Sequence, residues 1–170
     1  LQNTPAALQN FLDQRFVLHS QFNAGVFVVT NEGMAIVDSP VSSGRVGSSF
    51  IEVGAIASAL KDGKPAIGRP IVSKVLHTPV INMAVPLRNK QGEVIGALAG
   101  STNLGVPNFL DKIETSSYGK TGQYNLVAPQ YRLIVTSSRK DRIMSTLPER
   151  GFFPGVDRIL DGYEGTSIYV

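Results

Sequence analysis

The sequence predicts an α+β fold: an antiparallel sheet of about five strands with an N-terminal helix and flanking helices, followed by a partial second copy. Three observations predict it. Residues Pro79 to Leu104 hold two apolar runs, Val80 to Leu87 and Val94 to Gly100, around the polar turn Asn89-Lys90-Gln91-Gly92, the pattern of a β-hairpin. Val26 to Thr30 and Met34 to Asp38 flank Asn31-Glu32-Gly33 in the same way, with Gly33 where the turn needs positive φ. The last fifty or so residues then repeat the order of elements seen at the beginning.

Taken in order, Thr4-Pro5 is an N-cap with proline at the first helical position. Leu8, Phe11, Leu12 and Phe16 follow at helical spacing, which predicts one amphipathic helix from Pro5 to Leu18. After the first hairpin, Ser39 to Phe50 is rich in Ser, Gly and Pro and reads as a loop. Ile51 to Leu60 reads as a short helix closed by Asp62-Gly63, and Ala66 to Leu76 as a strand. The central hairpin comes next, and Val106 to Ile113 then reads as a helix that buries Leu110 and Ile113.

Placing Lys90 and Gln91 at the tip of the central hairpin sets Asn82 opposite Ala99, Ala84 opposite Ala97 and Met83 opposite Leu98. Side chains alternate faces along a strand. One face carries Ile81, Met83, Val85, Leu87, Val94 and Leu98 and is expected to be core. The other carries Val80, Asn82, Ala84, Ile95, Ala97, Ala99 and Ser101, mostly small side chains. A cover over such a face makes either close backbone packing or a ligand cavity with a few polar anchors.

An offset of 97 residues, Gly25 to Gly122, lays the second hairpin segment over the first and matches Tyr124 to Phe27, Leu133 to Ile36 and Ile134 to Val37. An offset of 99 lays Ile159, Asp161 and Gly162 over Leu60, Asp62 and Gly63. The chain therefore divides into an N-terminal helix (1–20), a complete module (21–115) and a partial module (116–170), whose third strand begins at Thr166.

Composition excludes several classes. At 42% hydrophobic and 17% charged, the 170 residues can bury a core. The absence of cysteine removes disulfides, thiolate catalysis and cysteine metal sites. No apolar run approaches the roughly 18 to 20 residues of a membrane span, and there is no targeting segment at Leu1. The net charge of +3 is spread along the chain without the dense basic stripe of a nucleic-acid binder. Gly119-Lys120-Thr121 lacks the earlier glycine of a phosphate loop, since Glu114 stands there. There is no Gly-x-Ser-x-Gly elbow, Asp38-Ser39 reads as a turn signal, and His19 and His77 are too few and too far apart for a metal set. No catalytic residue, metal site or cofactor is expected.

The order of NAGVFVV, NEG, IVDSP, ALKDGKPAIGRP, PVINMAVPLRNKQGEVIGALAGSTNL, YGKTGQYNLVAP, RLIVTSSRKDRI and LPERGFFPGVDRILDGYEG resembles the double Cache sensor region of bacterial transmembrane receptors. The similarity is greatest to the periplasmic sensors of diguanylate cyclases, and related modules occur in histidine kinases and chemoreceptors. The resemblance implies a PAS-like membrane-distal and membrane-proximal sheet, a periplasmic location, and a homodimer formed through the N-terminal helix. Membrane contact is implied only through segments outside this stretch, and a small ligand in the distal module. Amino-acid-binding members carry an Arg and Trp signature and an aspartate on the strand after the central turn. Ser101 stands at that aspartate's place and the chain has no Trp. A small molecule other than an α-amino acid, anionic in character, is the expected ligand.

The candidate ligand residues follow from charge and placement. Arg69, Lys74 and His77 lie on or beside the strand before the central hairpin, where a cation could take a carboxylate or phosphate. Alternation separates Arg69 from Lys74, and Arg69 is preferred. The alternative is a solvated edge strand whose charges guard against aggregation. His77 stands at a turn before Thr78-Pro79; in a pocket it would make binding depend on pH. Arg45, in the Gly-rich loop, either folds over the pocket or caps Phe50. Asn82 and Ser101 sit on the small-residue face, where buried polar groups need partners. In the second copy, Arg139, Lys140, Asp141 and Arg142 read as a solvated polar cluster or a contact between modules.

Overall fold

A computed structural model describes residues 5–113, 121–166 and 168. The chain forms two compact units, residues 1–109 and 110–170.

In the first unit, α1 (Pro5–Asp13) and α2 (Phe16–Gln21) precede β1 (Val26–Thr30) and β2 (Ala35–Ser39). Then come α3 (Gly54–Asp62), the two-residue strands β3 (Ala66–Ile67) and β4 (Ile71–Val72), and the long hairpin β5 (Pro79–Arg88) and β6 (Val94–Asn103). The sheet has six strands, ordered β2-β1-β6-β5-β3, with β4 also on β5, and these strands pair antiparallel. The α+β class is therefore as expected. Several elements differ from the sequence reading, each for a local reason.

The N-terminal helix is broken at Gln14-Arg15. The Arg15 N–H turns back to the Leu12 carbonyl (3.0 Å), and His19 Nε2 donates to the same carbonyl (3.0 Å), which satisfies the end of α1 in place of a further helical turn. Of the predicted apolar stripe, Leu8 and Leu12 pack on the sheet, whereas Phe11 and Phe16 are exposed. Thr4, the expected cap, lies outside the described residues.

The strand expected over 66–76 is interrupted. Gly68 donates its N–H to the Asn82 carbonyl (2.8 Å), Pro70 has no N–H to give, and the chain rejoins β5 only at Ile71. It then turns through Ser73–His77, with His77 at φ 52°. The helix expected over 106–113 is a single 3₁₀ turn, Phe109–Ile113. Upstream of it Gly105 and Pro107 are poor helix formers, and the Pro107 carbonyl is taken by Asn23 Nδ2 (3.0 Å).

The central hairpin is slipped by two residues from the expected register. Asn82 pairs with Ser101, Met83 with Gly100 and Ala84 with Ala99. The turn closes one residue later than expected: Asn89 N–H reaches the Glu93 carbonyl, and Asn89 Oδ1 accepts from the Gln91 and Glu93 N–H groups, all at 3.0 Å. A bulge at Leu87/Arg88 adds the second residue. A slip of two leaves every side chain on its own face.

The faces themselves carry the reverse of the expected weight. The small-residue face is the deeper core: Ala55, Ile56 and Ala59 of α3 pack on Phe27, Val29, Ala84, Ala97 and Ala99. The other face is covered by α1 and α2 through Leu12, Leu8, Leu18 and Phe22, and leaves Val85 42% exposed. Phe22 lies directly against Gly100, where a Cβ would come within 2.6 Å of its ring.

The second unit contains β7 (Asn125–Ala128), β8 (Leu133–Ser137) and α4 (Pro154–Leu160). Its likeness to the first unit extends to individual hydrogen bonds. In the first, Ala35 donates to Ser48, Gly47 to Ala35, Ser48 to Arg45 and Phe50 to Gly33, with a bridge between Met34 and Ser49. In the second, Ile134 donates to Ser145, Met144 to Ile134, Ser145 to Arg142 and Leu147 to Arg132, with a bridge between Leu133 and Thr146. The offset is thus 99 along the second strand and 97 along the loop, so Ile134 matches Ala35 and not Val37. Left-handed positions coincide as well: Arg132 (φ 48°) replaces Gly33 (φ 81°), and Met144 (φ 67°) replaces Gly47 (φ 83°). The expected strand from Thr166 and the segment Gly119-Lys120 fall largely outside the described residues. No described helix is long and apolar enough to cross a membrane.

Candidate functional site

The polar residues of the first unit's core gather at one end of the α3 face, where β1, β5 and β6 lie side by side. Cross-strand pairing of Asn82 with Ser101 puts both side chains on one face, and Ser101 Oγ donates to Asn82 Oδ1 at 2.5 Å. Both residues are buried. Ala24 donates its N–H to the Ser101 carbonyl (3.1 Å), and its own carbonyl accepts from Arg45 Nη2.

Arg45 is fully buried, 1% exposed, and its partner is Asp38 at the end of β2. Nη1 donates to Asp38 Oδ1 (2.7 Å) and the Arg45 backbone N–H to Asp38 Oδ2 (2.8 Å), so both carboxylate oxygens are engaged. The guanidinium lies over the Phe27 ring, 4.9 Å from its centroid, and Phe27 in turn packs on Phe50 (4.7 Å). Arg45 thus neither folds over an open pocket nor caps Phe50. It anchors the 40–50 loop inside the core. A buried cation needs this degree of satisfaction, because an unpaired one costs several kcal/mol.

The same strand end holds the N-terminal helices. The Asp38 carbonyl accepts from Gln9 Nε2 (2.9 Å), Ser39 Oγ donates to Asp13 Oδ1, and His19 Nε2 lies 3.3 Å from Ser39 Oγ. Asp13, Ser39 and His19 do not form a hydrolytic triad: the carboxylate bonds the hydroxyl and not the imidazole, so no base is oriented toward a freed hydroxyl. The arrangement instead ties α1 and the helix break to β2. Hydrogen bonds run without interruption from Asn82 and Ser101, through Ala24, Arg45 and Asp38, to α1.

The sequence singles out Arg69, Lys74 and His77 for their charge and for their place on or beside the strand before the central hairpin. All three are exposed, on the β3–β4 connection and the turn that follows. The structure brings Asn82 and Ser101 into contact and Arg45 into the same polar network, and among the described residues the Lys74 and His77 side chains take no part in that network. Asp38 is the residue that sequence reasoning missed. Its signal was a carboxylate ending an apolar run, seven residues before Arg45, the sole Lys or Arg between Arg15 and Lys61.

In the second unit, Arg132 spans from the left-handed turn position to α4. Nε donates to the Pro148 carbonyl and Nη1 to Asp157 Oδ1, both at 2.8 Å. The Gly151 N–H bonded to Asp157, with Arg132 adding to it against the effect of burial, holds that carboxyl below its ordinary range. Arg139 and Asp141 form a bidentate pair; their hydrogen bond raises the guanidinium and lowers the carboxyl. Among the described residues no group of three His, Asp or Glu side chains could hold a metal.

No family model matches this chain, and no curated protein does. Solved structures match over most of its length. The sensor domain of the V. cholerae histidine kinase DctB aligns with a TM-score of 0.66 at 13% identity, covering 94% of this chain and 58% of that one. The extracellular ligand-binding receptor from Desulfohalobium retbaense DSM5692 gives 0.74 at 16%, covering 95% and 28%. The ligand-binding domain of the Pseudomonas aeruginosa PAO1 chemoreceptor PctC, in complex with GABA, gives 0.66 at 21%, covering 86% and 63%. The fold is that of the bacterial sensor domains. The chain spans less than two thirds of the length of each of these structures, and the sensor-domain fold is what they share with it.

Proposed function

We propose that this chain is the extracytoplasmic, ligand-sensing part of a bacterial transmembrane receptor and has no catalytic role of its own. The observation that carries the reading is the sensor-domain fold, shared over 86 to 95% of the chain with domains of a histidine kinase, a chemoreceptor and an extracellular receptor. The ligand is a small molecule taken up by the first unit, at the α3 face bounded by Asn82, Ser101 and Arg45. Arg69, Lys74 and His77 draw it in from the rim. Matched structures hold GABA, L-serine and L-arginine, but the face here supports a different chemistry. Its one buried carboxylate among the described residues, Asp38, is committed to Arg45 through both oxygens, so none is left to hold an ammonium group. A small anion suits the surplus of basic side chains.

Binding displaces the Asn82–Ser101 pair, and the hydrogen bonds through Arg45 and Asp38 pass the change to α1. The module pairs with a second copy through its N-terminal helices, where Phe11, Phe16 and Val17 are exposed. The output is a cytoplasmic diguanylate cyclase, with a histidine kinase or chemoreceptor as the rival outputs that the matched structures support more directly.

A second reading, a structural and dimerisation module without a ligand, is favoured by one observation: Asn82 and Ser101 are buried and satisfy each other beneath a closely packed α3. A thermal-shift screen against small carboxylates, phosphates, amines and purines decides between the two, since a ligand that binds only the folded state raises its melting temperature. A saturable rise of several degrees for one chemical class, lost in Ser101→Val, supports the sensor. A flat response across the panel rejects ligand binding by these residues and leaves the structural module.

A further inference from the structure

In the second unit the short turn Pro129–Tyr131 and the end of α4 flank a hollow of about 440 Å³, lined by Pro129, Gln130, Arg132, Arg150, Leu160 and Asp161. That is room for a small organic molecule. Pro129 and Leu160 make its apolar wall, and two guanidinium groups and one carboxylate make the rest polar.

Arg132 reaches the hollow from a backbone position that strains it. Its counterpart in the first unit is Gly33, against which Ile51 packs so closely that a Cβ would come within 2.8 Å. No side chain can leave the chain there. The second unit holds an arginine at that place, at φ 48°. With 22% of its side chain exposed, Arg132 is mostly removed from water and only partly satisfied. Nε donates to the Pro148 carbonyl and Nη1 to Asp157 Oδ1, both at 2.8 Å, whereas the buried Nη2 has no acceptor among the described residues. Asp157 is already engaged through both oxygens, Oδ2 by the Gly151 N–H at 2.7 Å. A buried donor without a partner is costly, and an acceptor brought in by a ligand removes that cost.

Arg150, the second guanidinium, is 68% exposed and bonded to Asp161, itself 50% exposed. An exposed ion pair contributes little. Asp161 also stands at the C-terminal end of α4, where a carboxylate meets the negative end of the helix dipole. A ligand carboxylate can therefore replace it beside Arg150 at small cost.

We propose that this hollow binds a small organic carboxylate. The ligand enters by parting Arg150 from Asp161, gives Arg132 Nη2 the acceptor it lacks, and lays its apolar body on Pro129 and Leu160. The site lies wholly within the second unit and does not rest on the ligand proposed for the first.

The whole chain, labelled with ¹⁵N, is titrated with sodium butyrate and, at matched ionic strength, with sodium chloride. The proposal expects saturable shifts of the Gln130, Arg150, Leu160 and Asp161 amides with butyrate alone. Arg150→Gln weakens butyrate binding roughly tenfold, the scale of one charge-assisted hydrogen bond. Asp161→Asn, which frees Arg150 of its internal acid, strengthens it, and Arg139→Gln, which removes an equal charge outside the hollow, leaves it unchanged. Arg132→Gln abolishes it; should that variant fail to fold, the Arg150 and Asp161 variants decide, since both side chains are exposed. Equal responses to butyrate and chloride overturn the proposal, as does an unchanged butyrate affinity in Arg150→Gln. Shifts confined to the first unit also overturn it, while leaving the ligand reading of that unit intact.

Discussion

The Asp38–Arg45 pair is the residue-scale feature on which the first unit most depends. Both side chains are essentially removed from solvent, so each is acceptable only in the presence of the other. Asp38→Ala is expected to lower stability by about 3–5 kcal/mol in urea unfolding, because it strands a buried guanidinium. The double variant Asp38→Leu/Arg45→Met recovers most of that loss, since an apolar pair of similar volume leaves no charge to satisfy. A double variant no better than the single would mean that the pair contributes packing and not charge satisfaction. Arg69 belongs to the other category. Exposed on the β3–β4 connection, it can be cut back to Ala without unfolding the unit, and calorimetry should show weaker ligand binding. Unchanged affinity would remove it from the site.

At the scale of elements, the repeat allows one copy to predict the other. Gly47 and Met144 hold the same left-handed turn position, which costs a residue with a side chain roughly 1–2 kcal/mol. Gly47→Ala, with open space around the new Cβ, should cost about 1 kcal/mol from backbone strain alone, and Met144→Gly should return about as much to the second unit. Opposite signs in the two midpoints check this; the same sign in both would show that the matched turns do not share their strain. Asp157 gives α4 a pH dependence. Its carboxyl is held below the ordinary range, so its contribution is fully present above about pH 4 and is lost as pH falls through the depressed value. All five tyrosines lie between residues 118 and 169, so tyrosine fluorescence reports on the second unit alone. Its urea midpoint should fall steeply below pH 4 in the native chain and less in Asp157→Asn. Parallel profiles would assign the acid sensitivity to other carboxylates.

Across the whole molecule, the class of fold, the two hairpins, the helix closed by Gly63 and the duplication were legible in one sequence, because each is written in local periodicity and turn chemistry. The candidate site was legible only in part. Asn82 and Ser101 could be placed on one face from strand alternation, and the two-residue slip in register did not disturb that, since the pleat repeats every two residues. Arg45 was recognisable as a lone cation in a polar loop, but its partner was not. Ion pairing across seven residues and a loop depends on how the chain returns, which no local pattern records.

The sequence by itself determined which residues alternate, where the chain turns and which segments repeat, because these follow from side-chain volume and backbone freedom at neighbouring positions. Only the tertiary structure decided which face of the central hairpin became the deeper core. Alanines at 84, 97 and 99 look like weak core formers in isolation, yet they allow α3 to approach the backbone closely. On the other face α1 and α2 pack through Leu8, Leu12, Leu18 and Phe22 against larger side chains such as Val26, Val28 and Leu98. It also decided that the N-terminal helix breaks at Gln14-Arg15, where His19 and the end of β2 offer hydrogen bonds that a continuous helix would forgo. Burial and satisfaction of polar groups are settled between segments far apart in the chain, and they appear only once those segments meet.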